Sequence, residues 1–80
     1  MPIRMPTPEA IRKKIARAAS ESGGAPVEHY LTLLGPVELI STGSEGGWRL
    51  VYYLGSVSEI EAIESAVAAV QRSYPLVRVE

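Results

Sequence analysis

No cysteine occurs anywhere in these 80 residues, so no disulfide can supplement the apolar packing of the chain, at a length near the small end of what folds independently. Ile, Leu and Val supply 21 of the residues, above the share of roughly 20% that marks disordered chains. A real core is therefore expected, but a modest one that subunit pairing would enlarge. The chain reads as a single domain over residues 1–80, with residues 1–6 either flexible or a short edge strand.

The composition also removes whole classes of chemistry. Without cysteine there is no disulfide framework, thiolate nucleophile, zinc ribbon or iron–sulfur cluster. His29 is the only histidine, which excludes a multi-histidine metal site within one chain. All nine acidic residues are Glu, so a Ser-His-Asp triad, an aspartic dyad and an Asp-based magnesium site fail together. The expectation is a non-catalytic protein with no cofactor and no metal.

The apolar stretches fall well short of the roughly 18 residues that a membrane span requires, and the first residues show no secretory signal pattern. Residues 1–20 carry Arg4, Arg12, Lys13, Lys14 and Arg17 against one Glu, a balance that transit peptides share. The helix punctuation of the same segment favours a cytoplasmic protein instead.

That punctuation starts at Thr7 as N-cap, continues with Pro8 at the first helical position and Glu9 beside the positive end of the dipole, and stops at Ser22-Gly23-Gly24. The apolar stripe of this helix is Ile11, Ile15, Ala18 and Ala19, narrow enough that the helix should lie on something rather than run through it. Residues 26–34 fit two assignments. Val27, Tyr30, Leu31 and Leu34 have helical spacing behind Pro26, whereas Tyr30, Thr32 and the aliphatic neighbours also suit a strand bent at Gly35-Pro36; the short helix is preferred.

Beyond Pro36 the period changes to two. Val37, Leu39 and Ser41 alternate with Glu38, Ile40 and Thr42, and Trp48, Leu50, Tyr52 and Leu54 alternate with Arg49, Val51 and Tyr53, around a hairpin loop at residues 43–47. Both faces of the second run are largely apolar, which predicts a central strand. A second main helix begins at Ser56 or Ser58, each followed three residues later by Glu59 or Glu61 in a capping-box pattern. Its core face is expected to be Ile60, Ile63, Val67, Val70 and Tyr74, with a second stripe of small residues, Ala62, Ala66, Ala69 and Ser73, able to let another backbone approach. Tyr74-Pro75 ends this helix, and residues 76–79 read as a closing strand.

These elements predict an α+β fold, a small two-layer sandwich with an antiparallel or mixed sheet of three or four strands and two main helices. If the last two strands are parallel neighbours, the second helix makes a right-handed crossover between them. With a first strand at residues 3–5 the element order is that of a ferredoxin-like βαββαβ sandwich, a likeness of order alone.

Charge is polarised: residues 1–20 sum to +4, 21–66 to −6 and 67–80 to +1. Arg12, Lys13, Lys14 and Arg17 form a basic face that would suit phosphates or an acidic partner, although Glu9 with Lys13 and Arg17 with Glu21 are spaced as ordinary i, i+4 pairs. Arg49 and Tyr53, on the less aromatic face of the second strand, are the other candidate contact residues. The glycine-rich loop matches no phosphate-binding motif, Glu59, Glu61 and Glu64 suit the start of a helix, and His29 has no partner placed by a motif. The functional expectation is a small accessory, assembly or regulatory protein working through protein–protein contacts, as a homo-oligomer or on a larger partner. Nucleic-acid binding through the basic helix is the alternative, and a small-ligand-sensing dimer is the next.

Overall fold

The structure, a computed structural model, describes residues 6–40 and 45–78. Its elements in chain order are α1 (Pro8–Gly23), α2 (Val27–Leu33), β1 (Val37–Leu39), β2 (Glu45–Gly46), β3 (Trp48–Leu50), α3 (Val57–Ser73) and β4 (Val77–Arg78).

The helices start and stop where local chemistry dictates. The Thr7 hydroxyl accepts the Ala10 N–H at 3.2 Å, Pro8 opens α1, and Gly24 closes it at φ +84°, donating its N–H to the Ser20 carbonyl at 2.9 Å. Ser56 and Glu59 form a reciprocal capping box on α3: the Glu59 N–H reaches the Ser56 hydroxyl at 3.3 Å, and the Ser56 N–H reaches the Glu59 carboxylate at 2.7 Å. Residues 27–33 take the helical option, with the Pro26 carbonyl accepting the N–H groups of His29 and Tyr30.

The core lies between α1 and α3, which share the most extensive contact in the molecule. They run antiparallel, since Gly23 near the end of α1 sits beside Ala62 early in α3, while Lys14 lies over the ring of Tyr74 just past the end of α3. Ile11, Ile15, Ala16 and Ala19 meet Ala62, Ile63, Ala66 and Val70, and Tyr30, Leu34 and Trp48 close the cluster. Four alanines in this set allow the two helices to approach closely. The buried face of α3 is thus rotated from the expected one: Ile63 and Val70 are buried as expected, but Ile60 and Val67 are half-buried, Tyr74 is partly exposed, and Ala62 and Ala66 take the interior. On α1, Ala16 is a core residue that the expected stripe lacks.

The sheet expectation is overturned. In place of one sheet of three or four strands over two main helices, the described residues form three helices and two separate two-stranded antiparallel ladders. One pairs Val37–Leu39 with Trp48–Leu50 in the register Val37↔Leu50, and the other pairs Glu45–Gly46 with Val77–Arg78. The closing strand is therefore antiparallel to β2 and not a parallel neighbour of β3, so the right-handed crossover and the ferredoxin-like order do not form; the first strand of that order, residues 3–5, lies outside the described residues, as do residues 41–44 of the hairpin. Three causes are visible. Residues 27–33 became a helix and removed a strand; Tyr74 and Pro75 delay β4 until Val77, and proline can donate no ladder bond.

The third cause is Pro36. Val51 donates to the Pro36 carbonyl at 3.0 Å, and the very next pair is also bonded, Gly35 N–H to Tyr52 carbonyl at 2.8 Å. A regular antiparallel ladder bonds every second pair, so the alternation slips by one residue opposite the proline, which has no N–H to return. The side chains follow the slip: Trp48 is buried and Leu50 half-buried, but beyond it Tyr53 turns inward while Tyr52 and Leu54, expected on the Trp48 face, turn out. Among the described residues, the expected central strand has a single ladder neighbour along β3, namely β1.

Two adjacent glycines separate steric from conformational need. A Cβ at Gly23 would run into the hydroxyl of buried Tyr30, whereas Gly24 faces open space but holds a positive φ. Gly23→Ala is expected to cost about 1–3 kcal/mol through displacement of Tyr30. Gly24→Ala should cost about 1–2 kcal/mol from the left-handed backbone alone. Urea unfolding of both, repeated with Tyr30→Phe, checks the distinction: removing the hydroxyl should reduce the cost of the first substitution and leave the second unchanged.

Candidate functional site

β3 and α3 flank a groove of about 360 Å³ lined by Arg49, Leu50, Tyr53, Glu64, Val67 and Gln71. Glu64, Val67 and Gln71 recur at spacings of three and four and so share one face of α3. Arg49 and Tyr53 come from the strand side, and Tyr53 reaches the groove because of the phase slip at Pro36. The Tyr53 hydroxyl donates to the Glu64 carboxylate at 2.6 Å. That bond holds the phenolic proton and raises the Tyr53 pKa, with desolvation and the negative charge of Glu64 acting in the same direction. Arg49 faces Glu38, its register partner on β1, at 3.0 Å. The Gln71 amide donates to the Trp48 carbonyl at 3.3 Å, and the Trp48 indole N–H donates to the Tyr74 carbonyl at 2.6 Å. The groove thus sets the Tyr53–Glu64 pair and Arg49 beside the apolar residues Leu50 and Val67.

Of the residues singled out in the sequence, Arg49 and Tyr53 are brought together here. The basic residues of α1 are distributed differently. Arg12 points at the end of α2: its guanidinium donates to the carbonyls of Leu31, Leu34 and Gly35 and lies 3.7 Å from Glu9. It satisfies acceptors that the short helix leaves without partners. Lys14 lies 4.6 Å from the centre of the Tyr74 ring, a cation–π arrangement. Lys13 and Arg17 are exposed. In the small-residue stripe, Ala62 and Ala66 are buried against α1, whereas Ala69 and Ser73 are exposed.

Glu64, Val67 and Gln71 are groove residues that sequence reasoning did not assign. Their shared helical face is readable from spacing, but only the fold shows what that face meets. His29 and Glu59 are a second unassigned pair, 30 positions apart, whose side chains are bonded between α2 and the start of α3. The Glu59 carboxyl is lowered from about 4.5 to about 2, first by the hydrogen bond with His29 and then by those with Ser56. Among the described residues no group of three or more His, Cys, Asp or Glu is placed to hold a metal ion, and no helix is long and apolar enough to cross a membrane.

Compared with protein families, with curated proteins and with solved structures, the chain matches none.

Two outcomes follow from these contacts. Replacing Arg12 by Met keeps the aliphatic stem but leaves the α2 carbonyls without a donor, and should cost roughly 1–3 kcal/mol in urea unfolding. For Glu59, the folded-state pKa lies below the unfolded one, so its contribution to stability is complete above pH 4.5 and is lost as pH falls towards 2. Melting temperature measured from pH 7 to pH 2 should fall less steeply across that window in Glu59→Gln than in the parent protein.

Proposed function

We propose that this chain is a small non-catalytic protein of accessory, assembly or regulatory type that works through protein–protein contacts, and that its first partner is a second copy of itself. The observation that carries this reading is an exposed apolar run. Val51, Tyr52, Leu54 and Val57, at 43, 54, 62 and 75% exposure, fall within seven consecutive residues between β3 and α3. Single exposed apolar side chains are ordinary, but a concentration of this kind marks a surface that is covered in use. The phase slip at Pro36 turned Tyr52 and Leu54 outward, and the Tyr52 ring is held against Gly35, where an added Cβ would come within 2.7 Å of it. The small helical core supplies the complementary reason, since covering this run would enlarge the buried apolar area of a chain that has no cysteine to cross-link it. The cytoplasmic setting favoured by the helix punctuation of residues 7–24 belongs to the same reading.

Nucleic-acid binding has one observation in its favour, the exposure of Lys13 and Arg17 on α1. With Arg12 bonded to α2 carbonyls, those two residues would give a dependence of log affinity on log salt of only about −2.

Sedimentation equilibrium at increasing protein concentration tests the contact reading. A monomer–dimer equilibrium is expected, and the double substitution Leu54→Glu with Val57→Glu should weaken it at least tenfold, about 1.4 kcal/mol, with an unchanged circular dichroism spectrum. A monomer at every concentration would overturn self-pairing.

A further inference from the structure

Among the described residues, β3 has a ladder partner along one side only, β1. The bonds from Val51 N–H to the Pro36 carbonyl and from Ile40 N–H to the Gly47 carbonyl, both 3.0 Å, put the main-chain groups of Gly47, Arg49 and Val51 on the β1 side. Alternation then sends the N–H and C=O of Trp48 and Leu50 to the opposite side. The Trp48 carbonyl on that side accepts the Gln71 amide, so this edge faces the C-terminal half of α3. The chain at Tyr74 closes the edge around Trp48, where its carbonyl takes the indole N–H, and beyond Trp48 no other strand among the described residues follows the edge, where Leu50 lines the groove with Tyr53, Glu64 and Val67.

We propose that this groove binds an extended peptide segment of another protein, which adds to β3 as a strand at Leu50, with an acidic side chain towards Arg49 and a basic one towards Glu64. Three features select this occupant. A strand matches the alternating donor and acceptor of Leu50, as in other edge-addition complexes. The half-buried Leu50 and Val67 offer an apolar contact to the side chains that such a strand turns towards α3. Arg49, beside Glu38, and Glu64, beside the Tyr53 hydroxyl, carry opposite charges that a ligand with one acid and one base would match, whereas a nucleic acid would bring its phosphates against Glu64 and Glu38. Gln71 already supplies one side-chain amide to this edge, in the way a peptide N–H would. The inference goes beyond self-pairing through Val51, Tyr52, Leu54 and Val57, and either can fail without the other.

The experiment is a selection of random nonapeptides displayed on phage against the intact protein, with Arg49→Glu as the counter-selection target. Arg49 is exposed but lies opposite Glu38, so the amide spectrum of Arg49→Glu is checked first, and Arg49→Ala serves as the target if the ladder is lost. Enriched peptides are expected to alternate β-branched residues with an acid and a base. Synthesised, they should shift the amide resonances of Leu50 and Tyr53, bind Arg49→Glu at least tenfold more weakly, and lose at least tenfold in affinity when the backbone amide facing Leu50 is N-methylated. No enrichment over the Arg49→Glu target overturns the proposal, as does enrichment of peptides indifferent to N-methylation or with shifts confined to other residues. Loss of the dimer on Arg49→Glu would make a second copy the occupant of the groove and would also overturn it.

Discussion

Everything in this molecule depends on how closely two antiparallel helices approach. α1 and α3 meet through Ala16, Ala19, Ala62 and Ala66, with Ile11, Ile15, Ile63 and Val70 packed among them. A chain this short, with no cysteine to cross-link it, gains most from each buried residue when backbones come near enough for dispersion contacts to be dense. Small side chains at the seam achieve that, at the expense of apolar volume. The deficit is met by three large residues brought from elsewhere, Tyr30 from α2, Leu34 from its end and Trp48 from β3. The sheet is therefore a cover for the helix pair more than a layer in its own right, and the two short ladders suffice for that role.

Polar ties fix the cover in place. Arg12 reaches from α1 to three carbonyls at the end of α2 and its exit, His29 and Glu59 join α2 to the start of α3, and Trp48 and Gln71 join β3 to the end of α3. Each tie links two segments far apart in sequence and uses a main-chain carbonyl or a capping carboxylate as one partner. The elements are consequently held by groups that helix ends or strand edges already present, and no buried charge has to be introduced.

What the sequence made legible was local. Thr7, Pro8 and Gly24 around α1, a capping box at Ser56 or Ser58, the helical spacing preferred for residues 26–34 and the break at Tyr74-Pro75 all act within a few residues, and each was readable as such. What escaped was non-local. Whether Ala62 and Ala66 or Ile60 and Val67 face inward depends on which neighbour α3 meets, and a helix with apolar residues on both stripes does not decide it. The pairing of residues 77–78 with 45–46 rather than beside β3 likewise has no local signature. Arg12 is the sharpest case, since a basic residue at the border of a helix face looks the same whether it awaits a partner molecule or a carbonyl of its own chain. In the groove, Arg49 and Tyr53 were candidates from the sequence, while Glu64, Val67 and Gln71 joined them only once α3 was set against β3. Pro36 shows how one residue can mislead a periodicity argument: the alternation over residues 48–54 is real in the sequence, yet the missing N–H shifts its phase midway.

The burial of Trp48 has an optical consequence. It is the sole tryptophan of the chain, is 2% exposed, and gives its indole N–H to the carbonyl of Tyr74 at the end of α3. A fluorophore so enclosed and so attached emits according to whether one strand and one helix terminus remain together. The protein thus carries its own spectroscopic reporter of the junction between β3 and α3, the place where two distant parts of the chain must agree for the groove to exist.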